Sequence, residues 1–413
     1  MKKISFILKG FIFSFILLAV ISFSVDSHAT NGTQMIGYGS KSVGMGGADL
    51  AIANDATAIN ANPATLTGLK SEIDFDFTAF GPQVHHTASA MGNDADGKNP
   101  YFYMPLLAYV SGGGPVSWGI GIFPQGGMGV DYKDKVKNGM GQTDSLYSNL
   151  SYMRIVPAVA YQVNEQFSLG LGLQLGYSTF DMEFFPKFNA GAMGQGMEFK
   201  NASSYAYGAR IGALFKANEQ VSIGAIYNTK QSFDYEGDIK YGSGTSGKAK
   251  FKDFAWPSEI GIGISYKPFE ELTLGLDVSQ LQWSDAVNKP YLDPAIAGFP
   301  NAEFKMEWEN QTVIALGGAY KLNDSLTGRI GYNYGKSPVP NKNLSPLFPA
   351  IQESHYTLGL GYVAEGSPLF IDGYFVYAPE AKQTNSSNAD LGGISNTEKM
   401  SQTTFGIQVG YRF

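Results

Sequence analysis

The chain has 413 residues, a net charge of −7 and no cysteine, which excludes a disulfide-stabilised scaffold and argues against nucleic acid as a partner. Glycine is abundant at 51 residues, aromatic residues make up 14% of the chain, and charged residues only 16%. Beyond residue 29 no apolar stretch reaches the roughly 20 residues of a membrane-spanning helix, so a membrane location would require strands.

The N-terminus has the features of a secretory signal peptide. Two lysines follow the first methionine, Phe11–Val25 is an almost uninterrupted apolar run, and Ser27–Ala29 places small residues where a signal peptidase reads them. The apolar run is shorter than a membrane-spanning helix. We therefore predict that residues 1–29 are a cleaved signal peptide and that the mature chain begins at Thr30.

The next segment, residues 30–71, differs from the rest of the chain because it is rich in glycine and alanine. Its glycines permit a compact, winding backbone, and its alanines favour slim helical turns. Asn54 or Asp55 is predicted to cap a first helical turn. Asn62 is predicted to cap a second one, with Pro63 at the first helical position. The segment is therefore predicted to form two short pieces joined at Asn62.

From residue 72 onward the chain alternates between apolar and small or polar residues with a period of two, which is typical of strands. In Gln166–Tyr177, for example, leucines and aromatic residues alternate with glycines and polar residues. The pattern is clear in Glu72–Phe80, Gln166–Tyr177, Ser203–Lys216, Gln220–Tyr235, Ser258–Lys267, Glu271–Trp283, Ser325–Gly335, Ser354–Val363 and Gln402–Phe413. It is weaker in Tyr101–Val110, Val116–Pro124, Met153–Gln162, Gln311–Lys321 and Pro368–Tyr377.

The connections between these fourteen segments alternate in length. Short turns such as "VNE" and "ANE" alternate with long connections such as Gly81–Pro100, Gln125–Tyr152 and Trp283–Asn310. An outer-membrane barrel has short periplasmic turns, long extracellular loops and an even number of strands, whereas a soluble sandwich has no reason to sort its loops by length. We predict an all-β fold, a 14-stranded antiparallel transmembrane barrel over residues 72–413.

The barrel prediction assigns the two faces of each strand. Leu169, Leu171 and Leu173 are expected to face outer-membrane lipid and lipopolysaccharide, while the glycines between them face the lumen. The aromatic C-terminal strand ends at Phe413 and is similar to the signal that the barrel assembly machinery recognises in outer-membrane barrels. We expect a monomeric, multi-pass protein of the bacterial outer membrane.

A barrel of this size encloses a wide lumen, because barrels of about 8 strands fill themselves with side chains and those of 16 to 18 enclose water. Residues 30–71 have the right length and position to fill that space. We therefore predict that they form a small, partly helical plug inside the barrel.

The chain resembles the FadL family of outer-membrane transporters for long-chain fatty acids and other hydrophobic compounds. The resemblance is carried by "GMGGADLAIANDATAINANPA", "FPQGGMGVDY", "PAVAYQVNEQFSLGLGLQLGY", "GYNYGKSPVPNKNL" and "FGIQVGYRF", in that order. The most specific matches are Asn62-Pro63-Ala64 in the plug and Ser337-Pro338-Val339-Pro340 after the eleventh strand.

The resemblance implies passive transport of a hydrophobic small molecule without a cofactor. Extracellular loops would catch the ligand, which then moves to a tighter site near an N-terminal hatch. The hatch around Asn62, Pro63 and Ala64 would rearrange to let it continue, with a lateral opening in the barrel wall.

The third extracellular loop, "FFPKFNAGAMGQGMEF", is unusually apolar for a solvated segment. Its flexible methionines and aromatic residues suit an apolar ligand, and the same residues would also form a small core with neighbouring loops. The candidate ligand-binding residues are Phe184, Phe185, Phe188, Met193, Met197 and Phe199.

Strand parity points several charged residues into the lumen, namely Arg210, Arg329, Asp74, Asp76 and Asp277. Because the resemblance implies a basic residue at the ligand headgroup, Arg210 and Arg329 are candidates for that role. The alternative is that these charges are ordinary pore-lining pairs.

A general aqueous porin and an outer-membrane hydrolase are the two alternative functions. A general aqueous porin would need an open lumen, which the predicted plug opposes. An outer-membrane hydrolase would need a nucleophile and a base from separate strands, but histidines are few, and the neighbours Ser354 and His355 face apart on a strand. The adjacent His85 and His86 likewise point to opposite sides, which argues against a metal site. We therefore assign no catalytic residue and no metal site.

Overall fold

The structure is a computed structural model that describes residues 31–98, 101–191 and 194–413. The predicted signal peptide, its junction with Thr30 and the candidate residue Met193 lie outside the described residues. Within the described ranges, no helix combines the length and the apolar character needed to cross a membrane.

The described residues are mostly strands with a few very short helices. The strands are β1 Glu72–Ala88, β2 Asn93–Asp96, β3 Phe102–Ser111, β4 Val116–Asp131, β5 Val136–Lys137, β6 Thr143–Asp144, β7 Leu146–Gln162, β8 Phe167–Asn189, β9 Gln195–Lys216, β10 Val221–Asn228, β11 Gln231–Tyr241, β12 Ser246–Trp256, β13 Glu259–Phe269, β14 Leu272–Leu281, β15 Tyr291–Pro294, β16 Ala302–Glu303, β17 Gln311–Lys321, β18 Leu326–Gly335, β19 Ser354–Val363, β20 Leu369–Asn388 and β21 Ile394–Arg412. The α-helices are α1 Ser40–Gly44, α2 Ala58–Ala61 and α3 Trp283–Ala286, and 3-10 turns cover Pro63–Gly68, Ser89–Met91, Asn341–Asn343 and Ala389–Leu391.

The predicted 14-stranded antiparallel barrel is confirmed. Its wall consists of β1, β3, β4, β7, β8, β9, β10, β13, β14, β17, β18, β19, β20 and β21. The barrel closes where β21 pairs with β1, from Glu72 opposite Arg412 to Thr87 opposite Thr397. Closure leaves no open edge for lipid to meet, and it explains why the aromatic C-terminal strand lies beside the first strand.

Several strands extend well past their predicted ends on the side of the long connections. Strand β8 continues to Asn189, and β9 begins at Gln195. The hairpin of β20 and β21 is similarly long. The prediction missed these extensions because strands beyond the membrane have water on one or both faces and lose the apolar alternation. Much of the predicted loop length is therefore strand hairpin that projects from the barrel.

The predicted seventh strand, Gln220–Tyr235, is wrong as a single element. It consists of β10, which belongs to the wall, and β11, which leaves the wall after a break at Thr229–Lys230 and pairs with β12. The wall position after β10 is taken by β13. Both β10 and β11 alternate with a period of two, so the sequence pattern does not reveal that β11 leaves the wall.

The outer surface is apolar, as the strand pattern indicated. Leu169, Leu171 and Leu173 are 43%, 42% and 52% exposed on the outside of the wall, and Phe413 is exposed at the chain's end. On the inside, residues 31–71 fill the half of the barrel nearest the short turns, and most of their side chains are buried. The other half of the lumen holds a large apolar cluster that continues into the projecting hairpins and is called the upper apolar cluster below.

Candidate functional site in the plugged lumen

The plug joins the wall at the turn Asn62-Pro63-Ala64. The side-chain oxygen of Asn62 accepts a hydrogen bond from the Ala64 amide at 3.0 Å and caps the 3-10 helix that Pro63 begins. Its Nδ2 donates to the Leu50 carbonyl at 2.7 Å and to the Ala213 carbonyl of β9 at 3.1 Å. One side chain therefore links this turn, the preceding plug segment and the barrel wall.

The wall makes room for the plug with inward-facing glycines near the short turns. A Cβ built on each would lie between 1.8 and 3.1 Å from a plug atom, closer than side chains approach one another. Few larger residues would fit there without moving the plug. The glycines of this belt are Gly170, Gly212, Gly224, Gly263, Gly275, Gly317, Gly331 and Gly359.

The acidic residues predicted to face the lumen hold the plug backbone and side chains. Asp277 accepts hydrogen bonds from the amides of Asp49 and Leu50 at 2.7 and 2.9 Å. Asp74 accepts from the Ala56 amide at 2.8 Å, and Asp76 accepts from the hydroxyl of Ser40 at 2.7 Å. These bonds come from side chains of the wall, so at these points the plug is attached without extending the strand ladder.

The two arginines predicted as headgroup candidates both point into the lumen, but each already has partners. Arg210 pairs with Glu259 at 2.7 Å and donates to the backbone carbonyls of Asn60 and Ala61. Arg329 pairs with Asp372 at 2.7 Å. Both contacts match the pore-lining alternative, and in Arg210 the guanidinium also holds the plug.

Arg154 on β7 was missed by the sequence analysis. Its side chain is 2% exposed, and the ion pairs of the described residues include none to this guanidinium. Nε donates to the Tyr152 hydroxyl at 2.7 Å, while Nη2 has no hydrogen-bond partner. Strand parity places Arg154 inward, opposite Gly176 of β8, and this parity was the available signal.

Two further donors without acceptors lie around Tyr152. The Tyr152 hydroxyl donates to Oε1 of Gln231 at 2.5 Å, which leaves Nε2 of Gln231 without a partner. The Trp256 ring is 4.9 Å from the Tyr152 ring, and its indole N–H is also unpartnered. Buried donors normally have acceptors, so Arg154, Gln231 and Trp256 form a donor cluster suited to an anion.

The candidate residues of the third loop lie in the upper apolar cluster. The prediction of a loop is wrong here: Phe184, Phe185 and Phe188 belong to β8, while Met197 and Phe199 belong to β9. The outer faces of these strand ends are exposed to water, so their sequence lacks the apolar alternation that would identify a strand. Phe199 is fully buried and contacts Phe180, and the others are buried or packed against the same cluster.

The Ser337-Pro338-Val339-Pro340 motif begins the segment between β18 and β19. The Ser337 hydroxyl donates to the Ala350 carbonyl at 3.2 Å, and Val339 is buried in the upper apolar cluster. Nearby, Lys342 donates to Glu307 at 2.8 Å, and this hydrogen bond lowers the pKa of the Glu307 carboxyl. The motif thus lies at the end of the barrel that carries the long hairpins.

A window interrupts the wall between β3 and β4. The ladder of described residues between these strands stops at Leu107 opposite Ile122, although β4 continues beside β7 to Asp131. A bulge lies in β4 between Pro124 and Gly126, and Gly126 has a φ of 123°. Above the window, the Lys98 amide bonds to the Asp131 carbonyl at 2.8 Å.

The start of the described chain occupies this window. The Met35 amide donates to the Gln125 carbonyl and the Gly127 amide donates to the Thr33 carbonyl, both at 3.2 Å. Met35 packs against the buried residues Phe80 and Phe102 on one side, and also against the cluster that contains Phe123. The window is therefore closed by plug residues and not by wall strands.

In the described part of the chain, no three His, Cys, Asp or Glu side chains come together as metal ligands. His86 binds Glu398 through Nδ1 at 2.7 Å, and His85 lies near the exposed Asp94 and Asp96. These pairs belong to the projecting part of the barrel and lie apart from the donor cluster.

A closed 14-stranded barrel with a plug in its lumen defines a transport protein of the bacterial outer membrane. The chain belongs to the outer membrane protein transport protein family (OMPP1/FadL/TodX), whose model matches residues 23–413. This family consists of transport channels for hydrophobic compounds, and the protein is a multi-pass barrel of the outer membrane.

Two solved structures share this fold, and a named relative matches in sequence, all at low sequence identity. The long-chain fatty acid transport protein of Escherichia coli is 22% identical over 414 residues, covering 88% of this chain and 90% of the relative. The toluene transporter TodX of Pseudomonas putida superposes with a TM-score of 0.77 at 21% identity, covering 92% of this chain and 99% of TodX. A FadL homologue of Pseudomonas aeruginosa has a TM-score of 0.79 at 17% identity, covering 92% and 100%.

Proposed function

We propose that this protein carries hydrophobic small molecules with an acidic head group, above all long-chain fatty acids, passively across the outer membrane. The observation that carries this proposal is the donor cluster at Arg154, above the plug and next to the apolar cluster. A relative named as a long-chain fatty acid transport protein supports the same ligand class, whereas the relative TodX is named for toluene.

The carboxylate is assigned to Arg154 because the other inward arginines are neutralised. Arg210 and Arg329 each have a carboxylate partner at 2.7 Å, so an incoming anion would compete with an existing ion pair. Arg154 offers a free N–H in a site with low exposure, where hydrogen bonds to an anion are strong. The aromatic rings around Tyr152 supply apolar surface for the ligand beside that charge.

The plug, residues 30–71, acts in this proposal as a hatch with its gate at Asn62, Pro63 and Ala64. Its attachments are individual hydrogen bonds, from side chains such as Asn62 and Asp277 and from the short backbone bridge to β4 at Gln34. Breaking a few of these bonds costs far less than opening a strand ladder, since each contributes roughly 1 kcal/mol. The hatch can therefore rearrange while the barrel wall stays closed.

The ligand leaves sideways through the window between β3 and β4. The residues at this window are apolar, including Phe102, Met104 and Phe123, and Met35 of the plug lies across it. Movement of the hatch would withdraw Met35 and open a path from the lumen to lipid. An apolar ligand would thus avoid passing through the polar plug.

An aqueous porin is the alternative within the same fold. The plug fills the half of the lumen near the short turns, which argues against free passage of ions. Single-channel conductance separates the two functions, since a plugged barrel should carry little ionic current. A lipase or protease assay tests the hydrolase alternative.

The proposal is tested by uptake of a labelled long-chain fatty acid and of the alcohol of equal chain length, in cells without their own transporter. Loss of a buried charged hydrogen bond costs about 1.5–3 kcal/mol, so Arg154→Gln should lower acid uptake roughly tenfold or more. Uptake of the alcohol should be nearly unchanged. Arg412→Gln is the control, because Arg412 lies at the periplasmic end and bonds to Glu72. Equal loss for both compounds would mean that Arg154 is only structural.

A further inference from the structure

The segment between β18 and β19 forms a lid at the extracellular mouth. This lid, residues 337–352, has a single 3-10 turn and four prolines, and none of its residues belongs to a strand. It nevertheless buries large apolar side chains in the upper cluster, including Leu344, Leu347 and Phe348. A segment that is outside the sheet but packs into the lumen can move without breaking the wall.

A row of side-chain amides on β20 fastens the lid. Gln383 donates to the Val339 carbonyl at 2.7 Å, Asn385 to the Lys342 carbonyl at 2.9 Å, and Asn388 to the Leu344 carbonyl at 2.9 Å. On the opposite side, the Ser148 hydroxyl of β7 donates to the Leu347 carbonyl at 2.6 Å. Asn343 and Lys342 of the lid also bond to the Lys305 carbonyl and to Glu307, so individual side-chain hydrogen bonds hold the lid across the mouth.

Phe348 of the lid forms one wall of a small cavity whose other walls come from the barrel and its hairpins. The pocket is lined by Leu150, Phe180, Tyr235, Phe251, Phe254, Met306 and Phe348. Phe348 is 3% exposed, and its ring centre is 6.1 Å from that of Phe180. Phe180 also contacts Phe199, Tyr235 and Phe251, so Phe348 completes an aromatic enclosure around it.

Aromatic contacts connect this pocket to the donor cluster. Tyr235 stacks on Phe233 at 5.6 Å, and Phe233 meets Tyr152 edge to face at 5.0 Å. Tyr152 in turn accepts the hydrogen bond from Arg154. A ligand with its acid group at Arg154 would therefore have an apolar route along these rings to the place that Phe348 fills.

We propose that the lid is autoinhibitory and that Phe348 occupies the binding position of the ligand's apolar end. The occupant that replaces it is a hydrocarbon chain or ring of an acid ligand, which displaces Phe348 and releases the lid from the amides of β20. This inference rests on the proposed function for the identity of the ligand. It adds that the protein competes with its own ligand at the mouth.

The binding test uses the purified barrel in nanodiscs, with tryptophan fluorescence as the readout and 8-bromooctanoic acid as the quenching probe. Trp256, Trp283 and Trp308 lie in the upper apolar cluster, while Trp118 faces outward and is removed with Trp118→Phe in every variant. Phe348→Ala removes the internal competitor and should tighten probe binding about tenfold, because the binding-competent fraction rises. Leu292→Ala is the matched control: Leu292 is buried in the same cluster, but it lies on β15, outside the lid, and does not line the cavity.

A second variant releases the lid and leaves the pocket intact. The triple change Gln383→Ala, Asn385→Ala and Asn388→Ala should also tighten probe binding, whereas Thr384→Ala, Ser386→Ala and Ser387→Ala on the exposed positions of β20 should not. Heat-resistant mobility on a gel checks that each barrel is folded.

The outcomes separate the lid from the transport proposal. Weaker probe binding in Phe348→Ala would show that Phe348 contributes to ligand binding and would overturn the inference, and binding equal to that of Leu292→Ala would overturn it as well. If no variant transports fatty acid but Phe348→Ala still binds the probe more tightly, the transport proposal fails and the lid inference stands.

Discussion

Gly170 and Gly212 face each other across the ladder of β8 and β9, and the turn at Asn62 lies against both. A Cβ on Gly212 would lie 2.0 Å from Oδ1 of Asn62, and one on Gly170 would lie 2.3 Å from the Ala64 amide nitrogen. The recess that these two glycines form is what lets a three-residue turn of the plug approach the wall backbone. It explains why glycine is used so heavily on the lumen side of the strands.

The glycine belt predicts opposite outcomes for two neighbouring residues. Gly317→Ala would place a Cβ 2.3 Å from the Met45 carbonyl of the plug, whereas a Cβ on Gly318 meets Leu274 on the outside at an ordinary 3.5 Å. Overpacking costs typically 1–3 kcal/mol, and the loosely attached plug should yield before the wall does. We expect Gly317→Ala to raise leakage of small polar antibiotics severalfold, and Gly318→Ala to leave it unchanged. Equal leakage in both variants would show that the belt does not position the plug.

The turn at Asn62 gives the second prediction. Asn62→Ala together with Pro63→Ala removes three hydrogen bonds of roughly 1 kcal/mol each and frees the backbone. Heat-resistant folding should persist, while uptake of fatty acid changes and polar leakage rises.

The control for this variant is Asn323→Ala. Asn323 also caps backbone amides, those of Ser325 and Leu326, but it lies in a short turn away from the plug. Normal uptake without added leakage in the Asn62 and Pro63 variant would mean that the plug segment is only a tether.

The fold could be predicted from sequence where lipid imposes a pattern. Strands such as β8 alternate because one face meets hydrocarbon and the other meets the plug. From Phe167 to Gly176, apolar residues, mostly leucine, therefore alternate with small or polar residues, mostly glycine. The pattern fades where both faces are wet, which is why the ends at Asn189 and Gln195 were missed. The change of wall partner from β10 to β13 left no local trace.

The site was predictable only as far as it depends on neighbours in sequence. The cap of Asn62 on the Ala64 amide follows from a short motif, and the inward direction of Arg210 follows from parity. The partners of Arg210 and the lack of one at Arg154 depend on residues far apart in the chain. Long-range pairing decides which arginine lacks a carboxylate partner, so sequence alone could not single out Arg154.

Labelling of intact cells tests the orientation of the barrel. The chain has no cysteine, so single cysteines report without background. Met140→Cys and Ala297→Cys lie at exposed positions in long connections, while Glu165→Cys and Glu219→Cys lie in short turns. An impermeant maleimide should label the first two and spare the last two until the cells are opened. Labelling of Glu165→Cys on intact cells would reverse the assigned orientation.

The window between β3 and β4 gives the last prediction. Gly126 at the bulge has a φ of 123°, a conformation that side-chain-bearing residues rarely adopt. Gly126→Ala should press β4 toward a regular pleat, extend its pairing with β3 past Ile122, and disturb the bridge between Gly126 and Gln34. A narrower window should lower fatty acid uptake severalfold while the folded barrel and its low conductance remain.

Gly113→Ala is the matched control for the window. Gly113 also has a positive φ, 97°, with nothing near its would-be Cβ, and it lies in the turn that joins the same two strands. Both variants carry a similar backbone strain, so any shared effect on uptake reports strain and not the window. Lower uptake in Gly126→Ala alone supports lateral exit, because only that residue borders the gap. If the bulge is shown to be lost in Gly126→Ala and uptake stays normal, lateral exit is contradicted. The ligand would then leave through the plug into the periplasm.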